Sequence, residues 1–145
     1  MSFIGLHNHS EHSNYRLRDS INTIEGMFKY THQLGHKGIA ITEHETVGSS
    51  IEAIKTLENL KKENPEEWKD YKLILGNEIY LCSRKAIEEE KKYDFNHFNL
   101  LAKDEIGHQQ IKQLSTIAWM QSFVYVMRRC PTYYDDLIKV IGSNP

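Results

Sequence analysis

Short apolar runs alternate along this chain with segments whose apolar residues recur every 3.6 positions, and that alternation restricts it to an α/β architecture. The predicted strands cover residues 3–7, 37–42, 73–75 with 79–81 around Gly76, and 97–102. At their ends stand five side chains able to bind metal: His7 and His9, His44, Glu78 and His97. Strand side chains alternate with a period of two, so His7 and His9 present both imidazoles to one side. Active sites of α/β folds gather at the carboxyl ends of strands. A recurring order of strand, ligand and helix is hard to obtain by chance from eight histidines. Imidazole and carboxylate meeting at strand ends form a ligand set suited to Zn, Mn or Fe.

The helices expected between the strands have recognisable signals. Asn22 is the expected N-cap of the first, with Glu25 completing a capping box, Ile24, Met27, Phe28 and Thr31 keeping the period, and Gly35 as the stop. A second helix is expected over residues 50–63, with Ile51, Ile54, Leu57 and Leu60 as its apolar stripe and Asn64-Pro65 as its end. The charged stretch 83–93 reads as a solvated loop or an exposed helix. A third helix follows Gly107 with Ile111, Leu114 and Ala118 on one face, residues 123–127 fit a strand or a packed loop, and Thr132 with Asp135 caps a last helix carrying Leu137, Ile138 and Ile141.

Composition narrows the function classes. A chain of 145 residues, 39% apolar and 26% charged, fits one globular domain but is short for a complete β/α barrel. No apolar run approaches the ~18 residues of a membrane span and no signal-peptide core follows Met1, so a cytoplasmic protein without membrane contact is expected. Cys82 and Cys130 lack metal-ligand spacing and read as reduced, structural thiols. The net charge of -2 argues against a chain that grips duplex DNA through its own field.

Clusters of imidazole and carboxylate can hold two or more divalent ions about 3.5–4 Å apart, the arrangement of many phosphoester hydrolases. Glu78 is the candidate bridge, having two oxygens for two metals, and Asp19 could fold back as a further oxygen ligand. Arg16 and Arg18 could bind a phosphate or lie in a solvated loop. Trp119, Phe123 and Tyr125 could stack on bases, though packing is the simpler role, and His12, His32, His36 and His108 read as surface or packing histidines.

The pattern resembles the PHP (polymerase and histidinol phosphatase) family. Leu6-His7-Asn8-His9-Ser10-Glu11-His12-Ser13 is similar to its first motif, H-x-H-x-x-x-S. Ile41-Thr42-Glu43-His44-Glu45 with Gly48 is similar to the second, usually T-D-H followed by glycine. Leu75-Gly76-Asn77-Glu78-Ile79-Tyr80 matches G-x-E-x-Y, and His97-Phe98-Asn99-Leu100-Leu101-Ala102-Lys103 matches H-x-x-L-L-A-K, with Gly107 and Leu114-Ser115 downstream. The last two point within the family to the N-terminal domain of bacterial or phage DNA polymerase III alpha subunits. The resemblance implies an incomplete β/α barrel of mostly parallel strands with flanking helices, up to three metal ions, and phosphoesterase or 3′→5′ exonuclease chemistry in active members. It implies His7, His9, His44, Glu78 and His97 as ligands. Glu43, standing where the family has aspartate, is either a further ligand or a residue that orients His44. Because Pro145 precedes any later histidine or D-x-H, the expectation is the first part of such a domain, from a longer polypeptide whose polymerase centre lies elsewhere. Its partners would be DNA or another phosphoester, the other polymerase domains, and further copies of itself through exposed sheet edges. The competing readings are a metal-binding or interaction module without turnover, and a free-standing phosphoesterase related to histidinol phosphatase.

Overall fold

A long central strand organises the molecule. In the computed structural model, which describes residues 3–15, 18, 20–121 and 123–142, that strand is β3 (Lys72–Cys82). Eleven residues let it serve several neighbours at once. Its first part pairs in parallel with β2 (Gly38–Ile41), from Gly38↔Lys72 to Ile41↔Leu75. Its second part pairs with β4 (Asn96–Leu101), from Gly76↔Leu101 to Leu81↔Asn96, antiparallel. Its end pairs in parallel with β5 (Thr132–Tyr133). Leu81 faces both Asn96 and Thr132, so β5 continues the edge that β2 begins. β1 (Ile4–Gly5) lies parallel to β2, and the whole is a curled half-barrel of mostly parallel strands with helices.

The direction of β4 follows from its connection. A parallel return needs a crossover of a dozen or more residues, usually with a helix packed on the sheet. The connection from β3 to β4, residues 83–95, just reaches that length, but its one helix is the five-residue α4 (Arg84–Glu88), too short to pack across the sheet. That helix is not wholly solvated, because Ile87 is buried against Cys82 and Tyr133.

Alternation along the strands separates two faces. Ile39 and Ile41, in register with Leu73 and Leu75, face the helices. Against them pack Ile24 and Phe28 of α1 (Ile24–Gln33), Ala53, Leu57 and Leu60 of α2 (Ser50–Glu63), Trp68 of α3 (Pro65–Trp68), and Tyr71. Burying an aromatic or aliphatic side chain of this size contributes about 1.5–3 kcal/mol. Ala40, Gly76, Glu78 and Tyr80 occupy the other face. At Gly76 the strands crowd so closely that a Cβ would stand 2.5 Å from the Leu100 carbonyl oxygen and 2.8 Å from Thr42 Cγ2, so no side chain fits two residues before Glu78.

Several local expectations shift. α1 is capped by Thr23, whose Oγ1 accepts from Gly26 N at 3.1 Å, not by Asn22, which is turned to Ser20. Gly35, at φ 79°, does end that helix. α2 has the expected bounds and buries Leu57 and Leu60 as expected, but near its start small residues are buried instead, Ser50 and Ala53, while Ile51 and Ile54 are exposed. α5 (Glu105–Gln121) starts before Gly107, whose N–H is taken by Asp104 Oδ1 at 2.9 Å, and buries Ile111, Leu114 and Ala118. Residues 123–127 lead into a tight turn closed by the Val124–Arg129 bridge. α6 (Tyr134–Ile141) buries Val140 and exposes Ile138; Thr132 belongs to β5, and Asp135 pairs with Arg84 at 2.8 Å instead of capping the helix.

Candidate metal centre

The segment after β1 is anchored by the residue between its two histidines. Asn8 donates its N–H to Thr42 Oγ1 at 2.9 Å and accepts from Thr42 N at 2.9 Å, while its amide nitrogen reaches Gly5 and Ala40 carbonyls at 3.1 and 3.0 Å. With Asn8 clamped to β2, His7 and His9 are directed together toward β3. His44 follows β2 and bridges to Glu78 in parallel register, through Glu45 N to Glu78 O at 2.9 Å and Glu78 N to Glu43 O at 3.0 Å. The chain then turns sharply at Glu45, which adopts φ 57°. Side chains directly opposite on paired strands share a face, so His97, opposite Tyr80, lies on the face of Glu78.

All five predicted ligands therefore meet, although Glu78 lies within β3 and not at its end, and His97 opens an antiparallel strand. Glu78 Oε2 is 3.1 Å from His7 Nε2, 3.0 Å from His9 Nε2 and 3.0 Å from His44 Nδ1. Its other oxygen, Oε1, is bonded to His97 Nδ1. His9 and His7 bring their Nε2 atoms within 2.9 Å, and the His9 ring stacks on His44 with centroids 4.0 Å apart. Glu78 and His44 form a buried floor, whereas His7 and His97, at 50% and 53% side-chain exposure, form an open rim a ligand can reach.

Burial alone would raise the Glu78 carboxyl; hydrogen bonds from His9, His97 and His7 and the charge of His44 override it and hold the group far below the usual carboxylate range. Burial pushes the Tyr80 phenol up to about 12, with Arg129 opposing and the Glu45 and Glu78 carboxylates reinforcing. The phenol is thus protonated at neutral pH, and its oxygen lies 3.2 Å from His44 Nδ1.

Two groups of donors could each hold a metal ion, His7 with His9 and Glu78, and His44 with Glu78 and His97, the ligand atoms of each lying within 4.8 Å of one another. Borderline imidazole nitrogens with one shared carboxylate fit a divalent first-row ion. The structure does not bring Glu43 into either group: its buried carboxylate accepts from Ser10 N at 3.1 Å and from the hydroxyls of Ser10 and Ser13. Asp19 and Arg16 lie outside the described residues, and Arg18 is exposed. His12 bonds Glu52 at 2.9 Å, and His32 stacks on Trp68 at 4.3 Å. Trp119 donates its indole N–H to the Glu45 carbonyl at 2.6 Å. Sequence reasoning passed over Asn8, Ser10 and Glu45, and had Ser13 and Tyr80 as motif positions without a role. The alternation that placed His7 and His9 on one side also sends Asn8 to the other, a signal that was available.

The PHP domain family model matches residues 6–143, and the chain belongs to that family. It is 40% identical over 149 aligned positions, 98% of this chain, to the probable DNA polymerase YorL of Bacillus subtilis, and equally to a DNA-directed DNA polymerase of Bacillus phage SPbeta. It is 30% identical over 88% of its length to DNA polymerase III subunit alpha of Helicobacter pylori. The chain spans about a tenth of the length of these relatives, 11% of the first two and 10% of the third. No helix among the described residues is long and apolar enough to cross a membrane.

Proposed function

We propose that this chain forms the metal-holding part of a phosphoesterase centre in the N-terminal PHP domain of a cytoplasmic replicative DNA polymerase of the III alpha type. The substrate would be the 3′ end of DNA or a related phosphoester, with Zn, Mn or Fe as the ions, and the polymerising centre and its other domains would lie outside these residues. The observation that carries the reading is the convergence of four imidazoles, from three separate segments, on the one carboxylate of Glu78. When bound there, divalent ions supply hydroxide near neutral pH and offset charge on phosphoryl oxygens. Glu78 would be the donor common to both groups, with His9 and His44 beside it, and His7 and His97 would complete the two groups from the exposed rim that an incoming phosphoester can reach.

Metal analysis followed by hydrolysis of a single-stranded oligonucleotide tests this, with His9→Ala as the comparison. The expected result is bound divalent metal with weak turnover, and in the variant loss of that turnover with loss of part of the metal. Robust turnover lost in His9→Ala would instead mark a self-sufficient phosphoesterase. Metal bound without any turnover favours a metal-binding or interaction module, and a protein indifferent to added Zn or Mn refutes the metal reading.

The sheet edges support self-association as a further part of the proposal. Among the described residues β1 pairs only with β2 and β4 only with β3, and Phe3, Leu6 and Phe98 beside these edges are exposed. Open edges flanked by apolar side chains invite strand pairing. Sedimentation velocity should show dimers that grow with concentration; a strictly monomeric boundary at the highest concentration reached rules this out.

A further inference from the structure

The Ser13 hydroxyl is surrounded by more groups than its single proton can serve. It donates to Glu43 Oε2, it accepts from His44 N at 3.1 Å, and it stands 3.5 Å from His9 Nδ1. A hydroxyl has one proton to give and two lone pairs with which to accept. The Ser13 proton lies in its bond to Glu43 Oε2, so toward His9 the oxygen is left able only to accept. His9 then carries a proton on Nδ1; without metal its Nε2–H also reaches Glu78, 3.0 Å away, and it is this Nε2 proton that a metal ion would displace. The same oxygen fixes the backbone of His44, so one buried pair sets two of the candidate ligands. Glu43 is in turn held by Ser10, through its N–H and its hydroxyl, and Glu43, Ser10 and Ser13 are all buried.

From this geometry we infer that Glu43 and Ser13 are positioning residues that impose the Nδ1–H form on His9 and thereby make its Nε2 a metal ligand. The inference rests on the metal reading proposed above. It assigns Glu43 to the support of the centre and not to its ligand set, since its carboxylate is taken up by both serines. Groups that bond the far nitrogen of a ligating histidine fix its ring form and typically account for roughly 10–100-fold in metal affinity.

Glu43→Gln is the discriminating change. A glutamine oxygen can still accept from Ser10, but its NH2 can donate to Ser13, freeing the Ser13 proton to point at His9 Nδ1 and forcing the His9 proton to Nε2. On the zinc-loaded protein, nitrogen NMR of the histidine rings should show His9 bound through Nε2 with Nδ1–H retained. Zinc affinity by chelator competition should fall roughly 10–100-fold in Glu43→Gln, with the His9 ring pattern altered. Glu43→Asp keeps an acceptor-only group and should keep the wild-type ring form. Unchanged affinity and an unchanged ring in Glu43→Gln overturn the inference while leaving the metal reading intact, as does an Asp variant that switches ring form as Gln does. A wild-type protein that takes up no zinc refutes the metal reading and the inference with it. If Glu43→Gln fails to fold by circular dichroism, the wild-type spectrum decides alone: ligation of His9 through Nδ1 overturns the inference.

Discussion

Glu78→Gln empties both ligand groups of metal in a single substitution, whereas His9→Ala disables one of them. The asymmetry follows from sharing, since Glu78 is the member common to both groups and its two oxygens face different imidazoles. An amide keeps the shape but loses the charge and half of the acceptor capacity. The loss in affinity should therefore exceed the roughly 10–100-fold expected for a residue behind a ligand. Elemental analysis and chelator competition on the two variants check this, and a Glu78→Gln protein with wild-type metal content defeats it. The metal-free proteins should also differ in acid. The Glu78 carboxyl is held well below its ordinary 4.5 in the folded state, so folding is opposed by protonation. Its contribution to stability is complete above that ordinary value and fades as the pH falls beneath it. In denaturant titrations from about pH 5 to about pH 3, the wild type should lose stability more steeply than Glu78→Gln.

The same centre shows what a one-dimensional reading could and could not reach. That His7, His9, His44, Glu78 and His97 meet was legible because strand period and motif order leave a direct trace in spacing. The direction of β4 was not read, yet the sequence held a clue: residues 83–93 are charged and lack the apolar period of a helix that could carry a parallel crossover. The face of α2 was half read, for a different reason. Counting large apolar residues selected Leu57 and Leu60, which are buried, but also Ile51 and Ile54, which are exposed, and missed Ala53, whose small side chain joins the cluster with Ile39 and Ile41. Ser13 was visible as the serine of the first motif, but its role and that of Ser10 were out of reach, because both depend on Glu43 arriving from a segment thirty residues away, through hydroxyl contacts that leave no period behind. Thr23 taking the cap from Asn22 is a contest between adjacent residues of nearly equal aptitude, settled by the bonds Asn22 makes to Ser20.

Phe28→Ala should cost about 3–5 kcal/mol, the usual range for emptying a buried aromatic site. Phe28 is fully buried in the cluster that also contains Ile39 and Ile41 of β2, and its ring lies 5.9 Å from that of Tyr71. Natural domains hold only about 5–15 kcal/mol in reserve, so the variant should melt roughly 10–15 °C lower and expose a measurable unfolded fraction. β2 leads directly to His44, which couples this loss to the metal centre. A ligand that binds only the folded state restores stability by mass action, about 2.7 kcal/mol at a hundred times its dissociation constant. Zinc or manganese should therefore recover much of the melting temperature in Phe28→Ala. In Phe28→Ala combined with Glu78→Gln the metal should recover nothing, because the shared carboxylate is gone. Thermal melts of the two proteins with and without metal separate the possibilities. A loss below about 1 kcal/mol in Phe28→Ala would remove the packing argument, while equal recovery in both proteins would mean the metal binds somewhere other than Glu78.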